Sequence, residues 1–296
     1  LVDGASSIAK KYKIPDMVIG LTIVSLGTSM PELLVSIFSS FSGNVDIAIG
    51  NVLGSNIANI LLILGCTSIV CSLPLKRNTV LNEIPFSLIS ILLVGYFAHA
   101  GIFNVKNTIT RLEGGFLLLF FTLFMVYIFT TIKKTKEEDE DNSIKIYSMK
   151  KSILFIALGM VGLFLGGKFV VDNASQLASG FLSQRVIGLT VVAIGTSLPE
   201  LVSSIVAARK KKIDIAVGNV VGSNIFNALW ILGLSSLIKP LPFNTNNDID
   251  IFMVIAATTL LILSLPIGIK NNIDKFNGIF FLLIYVAYIS SLVYFG

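Results

Sequence analysis

Charge is what this chain has least of. Asp, Glu, Lys and Arg make up 13% of its 296 residues, near half the share usual in a soluble domain. With 54% hydrophobic residues and a mean hydropathy of +0.87, that shortage excludes a soluble enzyme and a disordered chain. Histidine occurs once, at His99, so a histidine-rich metal site cannot be built. The two cysteines, Cys66 and Cys71, share one apolar run at a spacing that puts them on different helix faces, which excludes a disulfide-stapled secreted domain. A net charge of +5 could suit nucleic acid, but the basic residues sit in short loops between apolar runs, a pattern of membrane orientation. Those runs recur from end to end, so a single-span receptor is excluded too. What remains is an all-α polytopic membrane protein whose first partner is the lipid bilayer.

A span needs about 20 apolar residues to cross about 30 Å of hydrocarbon. Nine are predicted, roughly at 16–40, 45–73, 84–103, 114–132, 152–171, 184–208, 213–238, 250–269 and 277–295. Between the fourth and fifth, Glu137, Glu138, Asp139, Glu140 and Asp141 follow one another among lysines, the composition of a solvated linker at 133–151. It separates a first half, 1–132, from a second, 152–296. Sorted by alternate loops, 17 of the 22 Lys and Arg fall on one side, among them Lys10, Lys76, Lys150 and Arg209–Lys212. The other five are Lys106, Arg111, Lys168, Arg185 and Lys239. The positive-inside rule makes the first side cytoplasmic, with the linker inside and Gly296 outside. Glu83 and Glu113, near span ends, are expected at the interface.

The halves repeat. Ile19–Glu32 (IGLTIVSLGTSMPE) matches Ile187–Glu200 (IGLTVVAIGTSLPE) at 10 of 14 positions. Asp46–Gly65 matches Asp214–Gly233 at 15 of 20, and both pairs share one offset of 168 residues. Five spans separate equivalent points, an odd number, so the repeats are inverted across the bilayer. Val2–Ser6 also resembles Val171–Ser175, which follows the apolar helix Ser152–Val171. In the first half only Leu1 and Val2 stand in that place. The expectation is therefore ten helices in two inverted five-helix repeats, the first helix largely absent from this chain.

Glu32 and Glu200 lie within apolar segments that hold no Lys or Arg. A charge at the bilayer centre costs about 2.5–3.5 kcal/mol on insertion scales, so two symmetric acids are expected to bind cations or a proton. Pro31 and Pro199 precede them and cannot donate to the carbonyls of Gly27 and Gly195, which predicts a kink beside each carboxylate. Thr28 and Thr196 stand four residues before the acids, Ser29 and Ser197 three before. In the GNVxGSNIxN segments, Ser55 shares a face with Asn59, and Ser223 with Asn227. Asn51, Asn56, Asn219 and Asn224 rank lower, some serving only to cap kinks or bind neighbouring helices. Gly50 and Gly54, like Gly218 and Gly222, form small-xxx-small patterns for close helix approach. Every group offered is oxygen, which suits Na⁺ and Ca²⁺ rather than soft transition metals. Asp46 and Asp214 read as first-turn acids that complement the helix dipole.

These motifs, GTSMPE with GNVLGSNIAN and GTSLPE with GNVVGSNIFN, resemble the two α-repeats of the cation/Ca²⁺ antiporter superfamily, above all its sodium/calcium exchanger branch. The resemblance runs through nearly the whole chain. It implies a central diamond of cation sites and exchange of Na⁺ for Ca²⁺. It also implies that Glu32 and Glu200 ligate both ions and that Thr28 and Thr196 lend oxygens to Ca²⁺. By the same resemblance Ser29, Ser55, Ser197 and Ser223 line Na⁺ sites, beside Asn59 and Asn227. Ala193 matches a carbonyl ligand, while Ser25 departs from the alanine common at its position. Asn227 stands where several archaeal exchangers and the potassium-dependent branch carry Asp, so the site holds two carboxylates, neutralised by one Ca²⁺ or two Na⁺. Gly54 and Gly222 occupy the position that is acidic in proton/calcium exchangers. The resemblance further makes the first span and Ser152–Val171 a sliding pair. The expected protein is a monomeric antiporter of the cell membrane, with no enzymatic activity, no nucleic-acid partner and no cofactor beyond the transported ions. H⁺- or K⁺-coupled exchange and, more distantly, a cation channel are the alternatives.

Overall fold

Proline dictates the first feature of the architecture. The spans that carry Pro31 and Pro199 each break two residues earlier, at Ser29 and Ser197, and bend by 47° and 44°. Each proline then sits in the first turn of the following helix, where its missing N–H removes no bond. The computed structural model describes residues 1–100, 107–134, 146–178, 180–181, 187–266 and 271–295. The acidic run 137–141, most of the linker, Lys106, Arg185, Gly296 and the outer edges of three predicted spans (101–103, 184–186 and 267–269) lie outside them.

In chain order the helices are α1 (Val2–Tyr12), α2 (Asp16–Thr28), α3 (Met30–Ser42), α4 (Val45–Val70), α5 (Thr79–His99) and α6 (Arg111–Lys134). After the linker come α7 (Met149–Ala178), α8 (Leu189–Thr196), α9 (Leu198–Arg209), α10 (Ile213–Ile238), α11 (Thr245–Ser264) and α12 (Lys275–Phe295). Among the described residues seven are long and apolar enough to cross a bilayer, or nine spans when each bent pair counts as one. α7 continues through the polar stretch after Val171, seven residues past its predicted end.

Two helices form the centre. The apolar windows of α4 and α10 are 89% and 94% buried, against 11% for α7. Apolar side chains of the outer helices, such as Leu119, Leu158 and Leu283, face outward as a lipid-exposed surface requires. Close approach at the centre rests on glycine. A Cβ on Gly54 would meet Ala193 Cβ and the Leu189 carbonyl at 2.8 Å. One on Gly222 would meet Ser25 Oγ at 2.8 Å and Leu21 Cα at 2.9 Å. Each glycine thus seats the α2 or α8 helix of the opposite half.

The inversion is visible in side-chain pairs. Lys76, just beyond the end of α4, pairs with Asp214 in the first turn of α10 at 2.9 Å. The end of one central helix therefore meets the start of its repeat, and the two run antiparallel. Lys212 with Asp16 (3.2 Å) and Lys210 with Asp3 belong to the same end of the molecule. At the other end Arg111 donates to the last carbonyls of α10, Leu237 O and Ile238 O.

Three features add to the sequence reading. Among the described residues two antiparallel bridges join the helices: β1 (Leu73–Pro74) pairs with β4 (Asn272–Ile273), and β2 (Thr108–Ile109) with β3 (Leu241–Pro242). Each ties a loop of one half to a loop of the other. Glu83 and Glu113, both close to helix starts, are buried in the protein. Tyr127 donates to Glu83 at 3.3 Å, and Glu113 closes a capping box by accepting from Thr110 N at 2.8 Å. Finally, π-helical turns recur at equivalent places, Gly20–Val24 with Gly188–Val192 and Asn59–Leu64 with Phe226–Ile231.

Gly222→Val should force the α2 and α10 backbones apart. Overpacking of this kind costs about 1–3 kcal/mol, so folded yield and melting temperature, read by size exclusion after heating, should fall. Gly162→Val, which meets nothing within 4 Å, should leave both unchanged.

Candidate cation-binding site

The break at Ser29 places Glu32 in the first turn of α3, and the break at Ser197 places Glu200 in the first turn of α9. A helix N-terminus favours negative charge there. Both side chains are buried, at 1% and 0% exposure. Among the described residues no lysine or arginine forms an ion pair with either.

Ser29 and Glu32, like Ser197 and Glu200, have the spacing of a local capping box. The structure exchanges the partners instead. Ser197 Oγ donates to Glu32 Oε1 at 3.3 Å, and Ser29 Oγ lies 3.0 Å from Glu200 Oε1. Each acid is held by the serine that precedes the other acid. Ser223 joins Glu200, 3.3 Å from Oε1 and 2.9 Å from Ser29 Oγ. Its counterpart Ser55 turns to Thr196 Oγ1 and the Ala193 carbonyl, both at 3.5 Å. The site is therefore two-fold in plan and uneven in detail.

The threonines also bond across the repeat. Thr28 Oγ1 lies 2.9 Å from Asn219 Oδ1, and Thr196 Oγ1 3.1 Å from Asn51 Oδ1. Those asparagines turn their amides to the acid-bearing helices. Asn51 donates to the Glu32 carbonyl (3.2 Å) and Ser36 Oγ (3.1 Å), and Asn219 to the Glu200 carbonyl (3.3 Å) and Ser204 Oγ (3.0 Å). Ser36 and Ser204 were missed in the sequence, although each stands four residues after its glutamate at the same repeat offset. Ala193 O and Ser25 O each already accept a backbone N–H, from Ser197 and Ser29. The Ser25 hydroxyl packs on Gly222 and bonds to Thr22 O at 3.3 Å.

Asn59 and Asn227 point their amides at Asn224 Oδ1 (2.8 Å) and Asn56 Oδ1 (2.9 Å). All twelve residues singled out in the sequence thus belong to the broken helices or to the paired central helices. Four oxygens among them, Glu32 Oε2, Glu200 Oε2, Asn59 Oδ1 and Asn227 Oδ1, are buried with no hydrogen-bond partner. A buried acceptor left unsatisfied costs about 1–3 kcal/mol. Two symmetric pairs of them are the arrangement expected of ligands for a hard cation.

Known proteins resemble the chain along nearly its whole length. The sequence profile described as sodium/calcium exchanger protein matches residues 1–130 and 151–294. A putative antiporter, CaxA of Alkalimonas amylolytica, is 37% identical, the match covering 97% of this chain and 91% of that protein. The sodium/calcium exchanger MaX1 of Methanosarcina acetivorans is 32% identical over 99% of this chain and 93% of its own. A solved structure of the sodium-calcium exchanger NCX_Mj superposes with a TM-score of 0.79 at 31% identity, covering 98% of this chain and 92% of that one. By sequence, by fold and by its paired repeats, the chain belongs to the sodium/calcium exchanger protein family.

Proposed function

We propose that this transporter, a cation/Ca²⁺ antiporter by family, exchanges Na⁺ for Ca²⁺ at one site between Glu32 and Glu200. The observation that carries the reading is the set of four orphaned oxygens, two of them carboxylate, in a buried region where no basic side chain among the described residues pairs with the acids. Relatives named as sodium/calcium exchangers support Na⁺ as the counter-ion. The donor set is oxygen throughout, with Ser29, Ser55, Ser197, Ser223, Thr28 and Thr196 beside the acids and the Ala193 and Ser25 carbonyls next to them.

Antiport follows from the charge. Two carboxylates are neutralised by one Ca²⁺ or two Na⁺, and both ions need the same pair, so they exclude each other. An empty site leaves two bare carboxylates in a low-dielectric interior, which penalises crossing without cargo. The loaded site is neutral or nearly so and can be exposed to either side in turn. The lysine-rich end, with Lys76, Lys210 and Lys212, faces the cytoplasm of the cell membrane by the positive-inside rule, and one chain suffices for the paired site.

Removing one partner of a buried ion pair costs about 3–5 kcal/mol. Glu32→Gln and Glu200→Gln should therefore each weaken Ca²⁺ binding by roughly two orders of magnitude or more while the protein still purifies as a folded species. Normal Ca²⁺ flux in either variant would remove the central claim. For the ion pair itself, the protein in liposomes should accumulate radioactive Ca²⁺ when an outward Na⁺ gradient is imposed, and not with an outward K⁺ or H⁺ gradient alone. Uptake driven by H⁺ alone would keep the two glutamates and replace the counter-ion.

A further inference from the structure

We propose that Asn56 and Asn224 are positioning residues that fix which end of the Asn227 and Asn59 amides enters the cation site. The inference rests on the cation reading above. Its argument is one of elimination along a chain of hydrogen bonds. Asn56 places one side-chain atom 3.3 Å from the backbone carbonyl of Asn224, and Asn224 places one 3.3 Å from that of Asn56. A carbonyl oxygen only accepts, so the atom facing it is the NH₂ in each case. The other end of each amide is then its oxygen. Asn56 Oδ1 accepts from Asn227 Nδ2 at 2.9 Å, and Asn224 Oδ1 from Asn59 Nδ2 at 2.8 Å. With their nitrogens bound, Asn227 and Asn59 leave Oδ1 free, and among the described residues these are the two buried side-chain amide oxygens without a partner.

The orientation matters because an amide is two-faced. Its oxygen ligates a cation; its NH₂ repels one and would instead donate to Glu32 Oε2 or Glu200 Oε2. The four asparagines are at most 3% exposed, so water does not take over the role of the lost partner. Asn227 stands four residues after Ser223, whose Oγ lies 3.3 Å from Glu200 Oε1, so the fixed oxygen is carried by the helix that meets the carboxylate. π-helical turns begin at Asn59 and, next to Asn227, at Phe226.

A carboxylate at 227 has no wrong way round, and this supplies the test. In purified protein, Ca²⁺ binding is read by scintillation proximity and transport by Na⁺-driven Ca²⁺ uptake. Asn56→Ala should raise the half-saturating Ca²⁺ concentration by roughly ten-fold while the maximal rate falls by less. Placed on Asn227→Asp, the same Asn56→Ala change should bring no further loss, because no NH₂ remains to turn inward and the Asn56 oxygen no longer opposes a carboxylate. An equal loss in both backgrounds would reduce Asn56 to a packing residue and overturn the proposal. Asn224→Ala, alone and with Asn59→Asp, runs the same test from the other half should Asn56→Ala fail to fold. Glu200→Gln is measured beside them. If Ca²⁺ binding survives that change, the cation reading falls; if binding is lost there but the two backgrounds respond alike, only the positioning proposal falls.

Discussion

Two buried carboxylates that pair with no basic side chain among the described residues are the constraint from which the rest of this structure follows. Each is stabilised by several small contributions rather than by a counter-charge. A helix begins beneath each acid, a serine from the other half donates to it, and an asparagine holds the carbonyl behind it. The broken helices exist to provide those starts, and proline is what breaks them. The central glycines let α2 and α8 come near enough for the serines to reach. None of these features makes energetic sense alone in hydrocarbon, where an unmet polar group is expensive.

Much of this was legible beforehand. Nine spans follow from hydropathy, because the bilayer demands continuous apolar length and little else. The inversion follows from counting an odd number of spans, and the Lys76–Asp214 pair shows it directly. Pro31 and Pro199 announced the bends, since proline geometry is local.

What stayed hidden is what depends on contact between distant segments. Spacing suggests that Ser29 caps its own helix with Glu32, and nothing local says that it turns to Glu200 instead. Glu83 and Glu113 stand near span ends, and their place in the sequence does not say that both are buried in the protein, one against Tyr127 on α6 and the other in a local cap. The short β bridges carry no pattern of their own in two residues each. The π-helical turns shift a register by one residue without changing composition. Asn56 and Asn224 looked like bystanders because their worth lies in the direction an amide faces, which residue identity does not encode.

The cross-half contacts of the central helices have a property that reaches beyond transport. Asn56 bonds Asn224 as Asn224 bonds Asn56, and Thr28 with Asn219 mirrors Thr196 with Asn51. Reciprocity of this sort is the signature of an isologous interface between identical subunits. Here the two subunits are halves of one polypeptide, so the chain carries a dimer interface folded inside itself. A homodimer is bound to keep both sides alike, whereas a fused pair is free to let them drift. Ser25 opposite Ala193, and Ser223 on a carboxylate where Ser55 is not, are that freedom in use: one gene holding two copies of a site and editing each separately.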